Sequence, residues 1–520
     1  MKKCSTFWAF SLVAVLFVTG CGNESLPENA IRVVVYDRGT DGGRTNAANN
    51  KWTQWIQEKV RQDLGLEVIF VPVSRWEEGS IQTTFMASGN PPDVMVSYDA
   101  PLSLWSEQDG LFDMAPYVDT LLPDVRAFLG EDPAMPGREL IFRNQDLQSG
   151  KLLSIRAKRS VVAMSNIWMR KDWLDALGLP VPTTHEEFFN TLVAFKDRNP
   201  AGVDGVIPWE MSSAFRGDVV NITESFIDPT LSPSERWVNT VAGWDLLLPG
   251  FKEGIRFFNR MYNAGLIDPD FPLYADNIMP RNLISSGRVG AFGLFWDGVF
   301  SEGGKLTTDL QANFPNAKWI AIDAFPSLDG ITHKPSHDPA SLSVFIPKSS
   351  KNPEGAMRYI NWLAKFENYS FLQIGPEGIV HEIVDSIPKI NPNAGSGWFQ
   401  NSTFNVDLTP LHNGMFPKTE EEKLKALALA YPFPPEDIMQ AYNVAMNNAR
   451  PSTVIQPVQP LVAEIPVAPT LNQQGGGLLL EAITTSPENF DSVWDAGITK
   501  WLSSGAQSVV DERRANLPAD

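Results

Sequence analysis

Ile31-Arg-Val-Val-Val-Tyr36 is an apolar, β-branched run that reads as a buried strand. Asp37 to Asn50 follows, rich in Gly, Asn and Asp, as a loop at the carboxyl end of that strand. Trp52, Trp55, Ile56, Val60 and Leu64 then recur at helical spacing, and Gly65 stops the helix. Leu66 to Val73 reads as a second strand. Trp76 to Ser88 reads as a second helix, halted by Gly89 and Pro91-Pro92. Asp93-Val-Met-Val-Ser97 is a third strand. Strand, helix, strand, helix, strand with short connections predicts a parallel sheet covered on both faces. Ligands of such sheets sit at the carboxyl ends of the strands, and the loops after Tyr36, Val73 and Ser97 share that edge.

A second α/β unit follows. Lys158 to Met164 is strand-like, and Asn166 to Leu177 reads as a helix closed by Gly178. Thr184-His-Glu-Glu187 has the form of a capping box that opens a helix with Phe188, Phe189, Leu192 and Phe195 on one side. Val206 to Trp209 and Val289 to Trp296 read as strands, with a helix through Phe251, Ile255, Phe258 and Tyr262 between them. Leu342 to Ile346 is a further strand, and Asn352-Pro353-Glu354 starts a helix with proline in its favoured first position. From about 366 the pattern weakens. Five prolines between 451 and 470 suggest an extended crossing, and Phe490 to Leu517 returns to helical spacing.

The amino terminus is of another kind. Lys2 and Lys3 precede an uncharged run from Phe7 to Val18, and Val18-Thr19-Gly20-Cys21 closes it. A basic head, a short apolar core and small residues before a cut mark a secretory signal. The run is shorter than the about 20 residues that a membrane-spanning helix needs. The cysteine after the cut resembles that of a bacterial lipoprotein signal, in which Cys21 would carry lipid and become the first residue. Residues 1–20 are then a signal peptide and 21–29 a tether. The remainder is expected on the extracytoplasmic side of a membrane.

Bulk composition narrows the partners. The chain has 42 basic and 61 acidic residues, net −19, and residues 1–20 hold two lysines and no acid, so the rest carries −21. That disfavours nucleic acid and anionic lipid surfaces, which demand positive charge. The two cysteines are Cys4 and Cys21, so the folded part has no disulfide, thiol nucleophile or cysteine-bound metal. Sixteen tryptophans suit a large core and also suit stacking on sugar rings.

Several stretches resemble the extracellular solute-binding proteins of ABC importers, of the carbohydrate type that includes maltose-binding protein, and its long lipoprotein branch in particular. They are Ser88-Gly-Asn-Pro-Pro-Asp-Val-Met95, Asn166 to Pro180 with Pro182-Thr183, Tyr262 to Phe271, Gly290-Ala-Phe-Gly-Leu-Phe-Trp-Asp-Gly298, Ile346 to Gly355 running into Ile360-Asn-Trp-Leu363, and Gly375-Pro-Glu-Gly-Ile379. The resemblance implies an α/β, two-lobe periplasmic-binding-protein fold (type II), each lobe a mostly parallel sheet flanked by helices. It places 30–155 plus 331–365 in the first lobe, and 156–330 plus 366–520 in the second lobe and tail. It implies a monomer that captures a carbohydrate ligand between the lobes and delivers it to ABC transporter permease subunits, anchored to the membrane by its N-terminal lipid. No cofactor is expected. The branch often carries a calcium loop, but here the corresponding segment, Asp197 to Pro208, has Val203 and Val206 where oxygen ligands would help, which argues against a metal.

Sugars present apolar ring faces, which want flat aromatics, and hydroxyl pairs, which want planar carboxylates or arginine. The strand-end loops supply both. The candidate contacts are Asp37 and Arg38 after the first strand, Tyr98 and Asp99 after the third, Trp209 and Glu210, and Trp296 with Asp297, where the resemblance implies a stacking tryptophan. Arg75 and Trp76 fit a helix-start packing role better, and Lys158 with Arg159 fits a solvated pair better than a contact to an acidic sugar.

Two other readings remain open at this level. A polysaccharide hydrolase needs two carboxylates across a cleft, and 61 acids do not exclude it. No catalytic signature supports it, however: Thr184-His-Glu-Glu-Phe-Phe189 has Phe189 where a zinc protease needs its second histidine. An oligopeptide-binding protein of the same architecture is the other.

Overall fold

The computed structural model describes residues 26–517 apart from 39–45, 99–100, 160–161, 164, 214, 216–218, 275–277, 302–304, 392–396, 399–404, 415–418, 430, 432, 451–454 and 456–460. The signal, Cys21 and the first part of the tether therefore lie outside the described residues, as do Asp99 and residues 451–454 and 456–460 of the proline-rich crossing.

The first sheet begins as the sequence predicts. β1 (Ala30–Asp37) runs parallel to β2 (Glu67–Ser74) in a register from Ala30 opposite Glu67 to Asp37 opposite Ser74. The helix between them, Lys51–Leu64, buries Trp52, Ile56 and Val60. Its start is fixed by a reciprocal cap: the Asn50 side chain accepts from the backbone N–H of Trp52 and Thr53, and the Thr53 hydroxyl accepts from Asn50 N–H at 2.8 Å. Asn50→Ala is expected to lower stability by about 1 kcal/mol, read as a lower urea midpoint with unchanged slope. β3 (Met95–Ser97) joins β1 through a parallel bridge between Val33 and Val94.

β4 (Ile155–Arg159) enters the same sheet, and the chain then crosses to the second. There β5 (Asn166–Arg170), β6 (Ile207–Glu210), β7 (Val289–Leu294) and β8 (Trp319–Ile322) are ordered β6-β7-β5-β8. β6 is parallel to β7, while β5 is antiparallel to both its neighbours. β5 lies where the sequence suggests a helix. All five of its residues are buried, and Ile167 and Met169 enter the core on one face of the sheet while Trp168 enters the core on the other. A strand buried on both faces loses its polar alternation, so periodicity does not separate it from a buried helix. The helix starts only at Lys171 and runs to Leu177.

The chain returns through β9 (Lys334–Pro335) to β10 (Ala340–Phe345), which pairs antiparallel with both β3 and β4. After the helix Pro353–Leu363 comes a segment expected with the second lobe. It packs instead on the first core: helix Phe366–Ile374 contributes Leu372, the hairpin β11 (His381–Val384) and β12 (Ile387–Ile390) contributes Ile387 and Ile390, and helix Glu420–Leu429 contributes Ala426 and Leu427. From the same segment β13 (His412–Asn413) adds a strand beside β4. The physical reason is continuity, since helix Phe366–Ile374 follows directly on the helix Pro353–Leu363 already seated there. Helix Pro435–Met446 lies at the junction, with Ile438 and Ala441 in the second-sheet core and Tyr442 in the first. β14 (Ala449–Arg450) pairs with β9.

The proline-rich stretch ends in a helix, Ala468–Thr484, with a proline in its first turn. It packs with helix Phe490–Trp501 on the second core through Leu471, Leu479, Trp494 and Trp501. Among the described residues the result is α/β, with the β1–β2 pair and the β13-β4-β10-β3 sheet on one core and the β6-β7-β5-β8 sheet between two others. Among the described residues, no helix is long and apolar enough to cross a membrane.

Candidate functional site

The first sheet gathers three strand ends. Tyr36, the penultimate residue of β1, is buried and donates to Val96 C=O at 2.9 Å and to the Glu78 carboxylate. Burial, with the Glu78 charge beside it, pushes its hydroxyl far above the ordinary range. Tyr98 follows β3 and stacks on Tyr36 at 6.2 Å and 24°. The Arg75 guanidinium lies 4.2 Å from the Tyr98 ring centre and pairs with Glu78 at 3.1 Å. Arg38 meets Asp407 through a fork, with Nε 2.8 Å and Nη2 2.8 Å from the two carboxylate oxygens. Burial works against the Arg38 charge, but hydrogen bonds and attraction from Asp407 outweigh it and raise its pKa. Asn413 on β13 donates to the Tyr98 hydroxyl at 3.2 Å and to Ser341 Oγ at 3.2 Å.

Of the predicted contacts on this edge, the fold brings Arg38 and Tyr98 together, and Asp37 ends β1 exposed. Arg75 joins them through its stack and its ion pair rather than through helix-start packing alone. Asp407 and Asn413 are members of the site that sequence reading misses, being hundreds of residues away from their partners.

The second sheet divides its candidates. Trp209 is 0% exposed. Its ring lies against Phe188 at 5.6 Å and Phe258 at 6.3 Å, and its complete burial leaves no surface for a ligand. Glu210 beside it is 1% exposed. These two were expected at the ligand and lie in the core, because both are still paired in the ladder with β7, Trp209 opposite Ala291 and Glu210 opposite Phe292. Trp296 is half-buried and meets Tyr442 edge-on at 5.4 Å, touching both the first core and the second-sheet core. Asp297 accepts from the Tyr431 hydroxyl at 2.6 Å. The exposed aromatic of this turn is the neighbour that sequence reading passes over: Phe295 is 55% exposed. Its carbonyl accepts from Trp168 Nε1 at 3.2 Å, and its ring is 6.3 Å from that of His337. Burial, reinforced by the positive charge of Arg159, pushes His337 down to about 3. Arg159 pairs opposite Asn413 in the β4–β13 ladder and its N–H donates to Pro339 C=O at 2.7 Å, two residues from His337, so Arg159 and His337 lie between the tyrosine edge and Phe295.

His185 sits in an aromatic box, 4.4 Å from Phe226 and 4.9 Å from Phe325, with a ring nitrogen 2.7 Å from Ser225 Oγ. In the segment 197–208, the Asn199 side chain bonds both backbone groups of Val203, which closes the loop on itself.

The bacterial extracellular solute-binding protein family matches residues 49–368, more than half of the chain. The chain belongs to that family. Lipoprotein LipO of Bacillus subtilis (strain 168) is 24% identical over 339 residues, 62% of each chain. The fructooligosaccharide ABC transporter substrate-binding protein FusA of Streptococcus pneumoniae is 26% identical over 231 residues, 41% of each chain. The chain thus spans less than two thirds of the length of these two relatives. Among solved structures, an extracellular solute-binding protein from Bifidobacterium longum subsp. infantis superposes with a TM-score of 0.63 at 18% identity, over 94% of this chain and 97% of that one. The S. pneumoniae FusA complex with kestose gives 0.64 at 14% identity, over 94% and 98%. These likenesses show the fold, the two-lobed α/β architecture of solute-binding proteins.

Proposed function

We propose that the protein captures a saccharide outside the cytoplasm and delivers it to the permease subunits of an ABC importer, held at the membrane through lipid on Cys21. Binding rather than catalysis is its task, and it acts as a monomer. The observation that carries this reading is the exposed Phe295 ring beside half-buried Trp296, linked through His337 and Arg159 to the Tyr98–Arg75–Asn413 edge. A flat apolar face stacks on a sugar ring, while an amide and a phenol hydroxyl meet its hydroxyls. The names of two relatives point the same way: FusA is a fructooligosaccharide-binding protein, and YtcQ of Bacillus subtilis a polygalacturonan/rhamnogalacturonan-binding protein.

Thermal shift with oligosaccharides, monosaccharides and peptides tests the class of ligand. A ligand at about 100 times its dissociation constant adds about 2.7 kcal/mol to the folded state, enough to raise Tm visibly. The expected result is a shift with an oligosaccharide that is recovered intact. Phe295→Ala, at an exposed position, is expected to keep the unliganded Tm and weaken affinity about tenfold, or about 1.4 kcal/mol. Cleaved sugar in the recovered ligand would make the protein a hydrolase. A shift with peptides alone would keep the fold and overturn the saccharide.

A further inference from the structure

We propose that the captured saccharide carries a carboxylate, and that Arg159 receives it. This rests on the saccharide reading above and narrows it to uronate-containing sugars.

The argument begins with pairing. Four acids around the first sheet already meet a cation. Asp407 is held by Arg38 and Glu78 by Arg75. Asp132 and Asp338 are both held by Arg143. Arg159 is different. It is the last residue of β4, half-buried, and its backbone is pinned where its N–H donates to Pro339 C=O at 2.7 Å. Among the described residues its guanidinium makes no ion pair, no side-chain hydrogen bond and no stack. A guanidinium drawn out of water without a partner is costly. Burial also weakens its hold on its proton, with Tyr98 and Asp338 only partly opposing that effect.

Position makes this charge useful. Arg159 stands opposite Asn413 in the β4–β13 ladder, and Asn413 reaches the Tyr98 hydroxyl at 3.2 Å. The Arg159 N–H bond to Pro339 sets it two residues from His337, on which its charge acts, and His337 stands beside the exposed Phe295 ring. A sugar stacked on Phe295 and reaching the Tyr98 edge therefore passes Arg159. His337 is neutral at ordinary pH, so it supplies one hydrogen bond and no second charge. One planar fork with five donors fits one planar carboxylate in a bidentate pair. A phosphate monoester, with about two negative charges, would leave one unmatched here. The chain as a whole carries −19, so nothing long-range favours an anion, and selection has to come from this contact.

The test is calorimetric titration of the purified protein with a panel of oligouronates, their methyl esters and neutral oligosaccharides of the same length. The expected result is binding of an oligouronate, with roughly 10- to 100-fold weaker binding of its ester, the scale of a charged hydrogen bond. Arg159→Gln is expected to cost the acid form the same factor and to leave the ester unchanged. Arg159→Lys keeps the charge without the fork and should fall between, which guards against a glutamine variant that folds poorly. Neutral sugars binding as tightly as every oligouronate, or Arg159→Gln leaving acid binding intact, would overturn the carboxylate while keeping the saccharide. Silence toward all oligouronates overturns it too. Peptide binding with no sugar binding would sink the saccharide reading itself.

Discussion

Trp209→Ala is expected to destabilise the second lobe by about 3–5 kcal/mol and to leave ligand affinity unchanged in protein that is still folded. Trp209 is among the largest fully buried side chains. Its backbone is fixed on both sides, by the β6 ladder opposite Ala291 and by its N–H donating to Leu266 C=O at 2.9 Å. The ring fills the space between Phe188 on helix His185–Arg198 and Phe258 on helix Phe251–Asn263. Alanine would empty that space, and two helices braced against a sheet cannot close it without moving their other contacts. Trp209→Phe separates volume from polarity. Among the described residues the indole N–H has no hydrogen-bond partner, so phenylalanine gives up part of the packing but also removes a buried, unsatisfied donor. Its loss should be well below that of alanine. Urea denaturation measures both variants, and titration well below the transition measures affinity. A stable Trp209→Ala that no longer binds sugar would return Trp209 to the ligand.

The contrast between Trp209 and Phe295 marks what the sequence makes legible. Both stand at the end of a strand of one sheet, and both are large and aromatic. One is core and the other exposed, because pleat and depth in the sheet decide it, and neither can be read from one strand alone. The opening of the chain is legible because its strands are continuous apolar runs separated by amphipathic helices with clear stops. β5 is not, because burial on both faces removes the alternation. The link between Arg38 and Asp407 spans 369 residues, and the packing of helix Phe366–Ile374, the β11–β12 hairpin, Leu408 and Leu411 on the first core brings it about. The Thr184 cap is legible with a small change. Thr184 Oγ1 accepts from Glu187 N–H as predicted, but the Glu187 carboxylate reaches one residue further back, to Thr183 N–H at 2.8 Å.

Stability is expected to fall between pH 7.5 and pH 5, before carboxylates take part. Three histidines are held below the ordinary 6.5: His185 to about 4, His337 to about 3 and His412 to about 3. Burial is the main cause in each. His412 is 0% exposed, packed 5.4 Å from Phe128 and 5.1 Å from Tyr369, and accepts from Gln373 Nε2 at 3.1 Å. Lys158 adds repulsion there, Arg159 does so at His337, and Glu186 partly offsets the effect at His185. A group with a depressed folded pKa stabilises fully above its unfolded value and loses that contribution as pH falls toward the folded one. The unfolded chain takes up protons from about pH 6.5 downward while the folded chain refuses them. At pH 5 each histidine then contributes roughly 1–2 kcal/mol less than at pH 7.5. Carboxylates with lowered values, such as Asp491 at about 2, act only in stronger acid. Half-buried Asp245, whose pKa is raised by desolvation, works in the opposite direction. Urea midpoints at the two pH values test this in the parent and in His412→Asn. The variant should be less stable at pH 7.5, through lost packing, yet fall less between pH 7.5 and pH 5. An equal fall in both proteins, or a midpoint that rises toward pH 5, would remove His412 from the acid response.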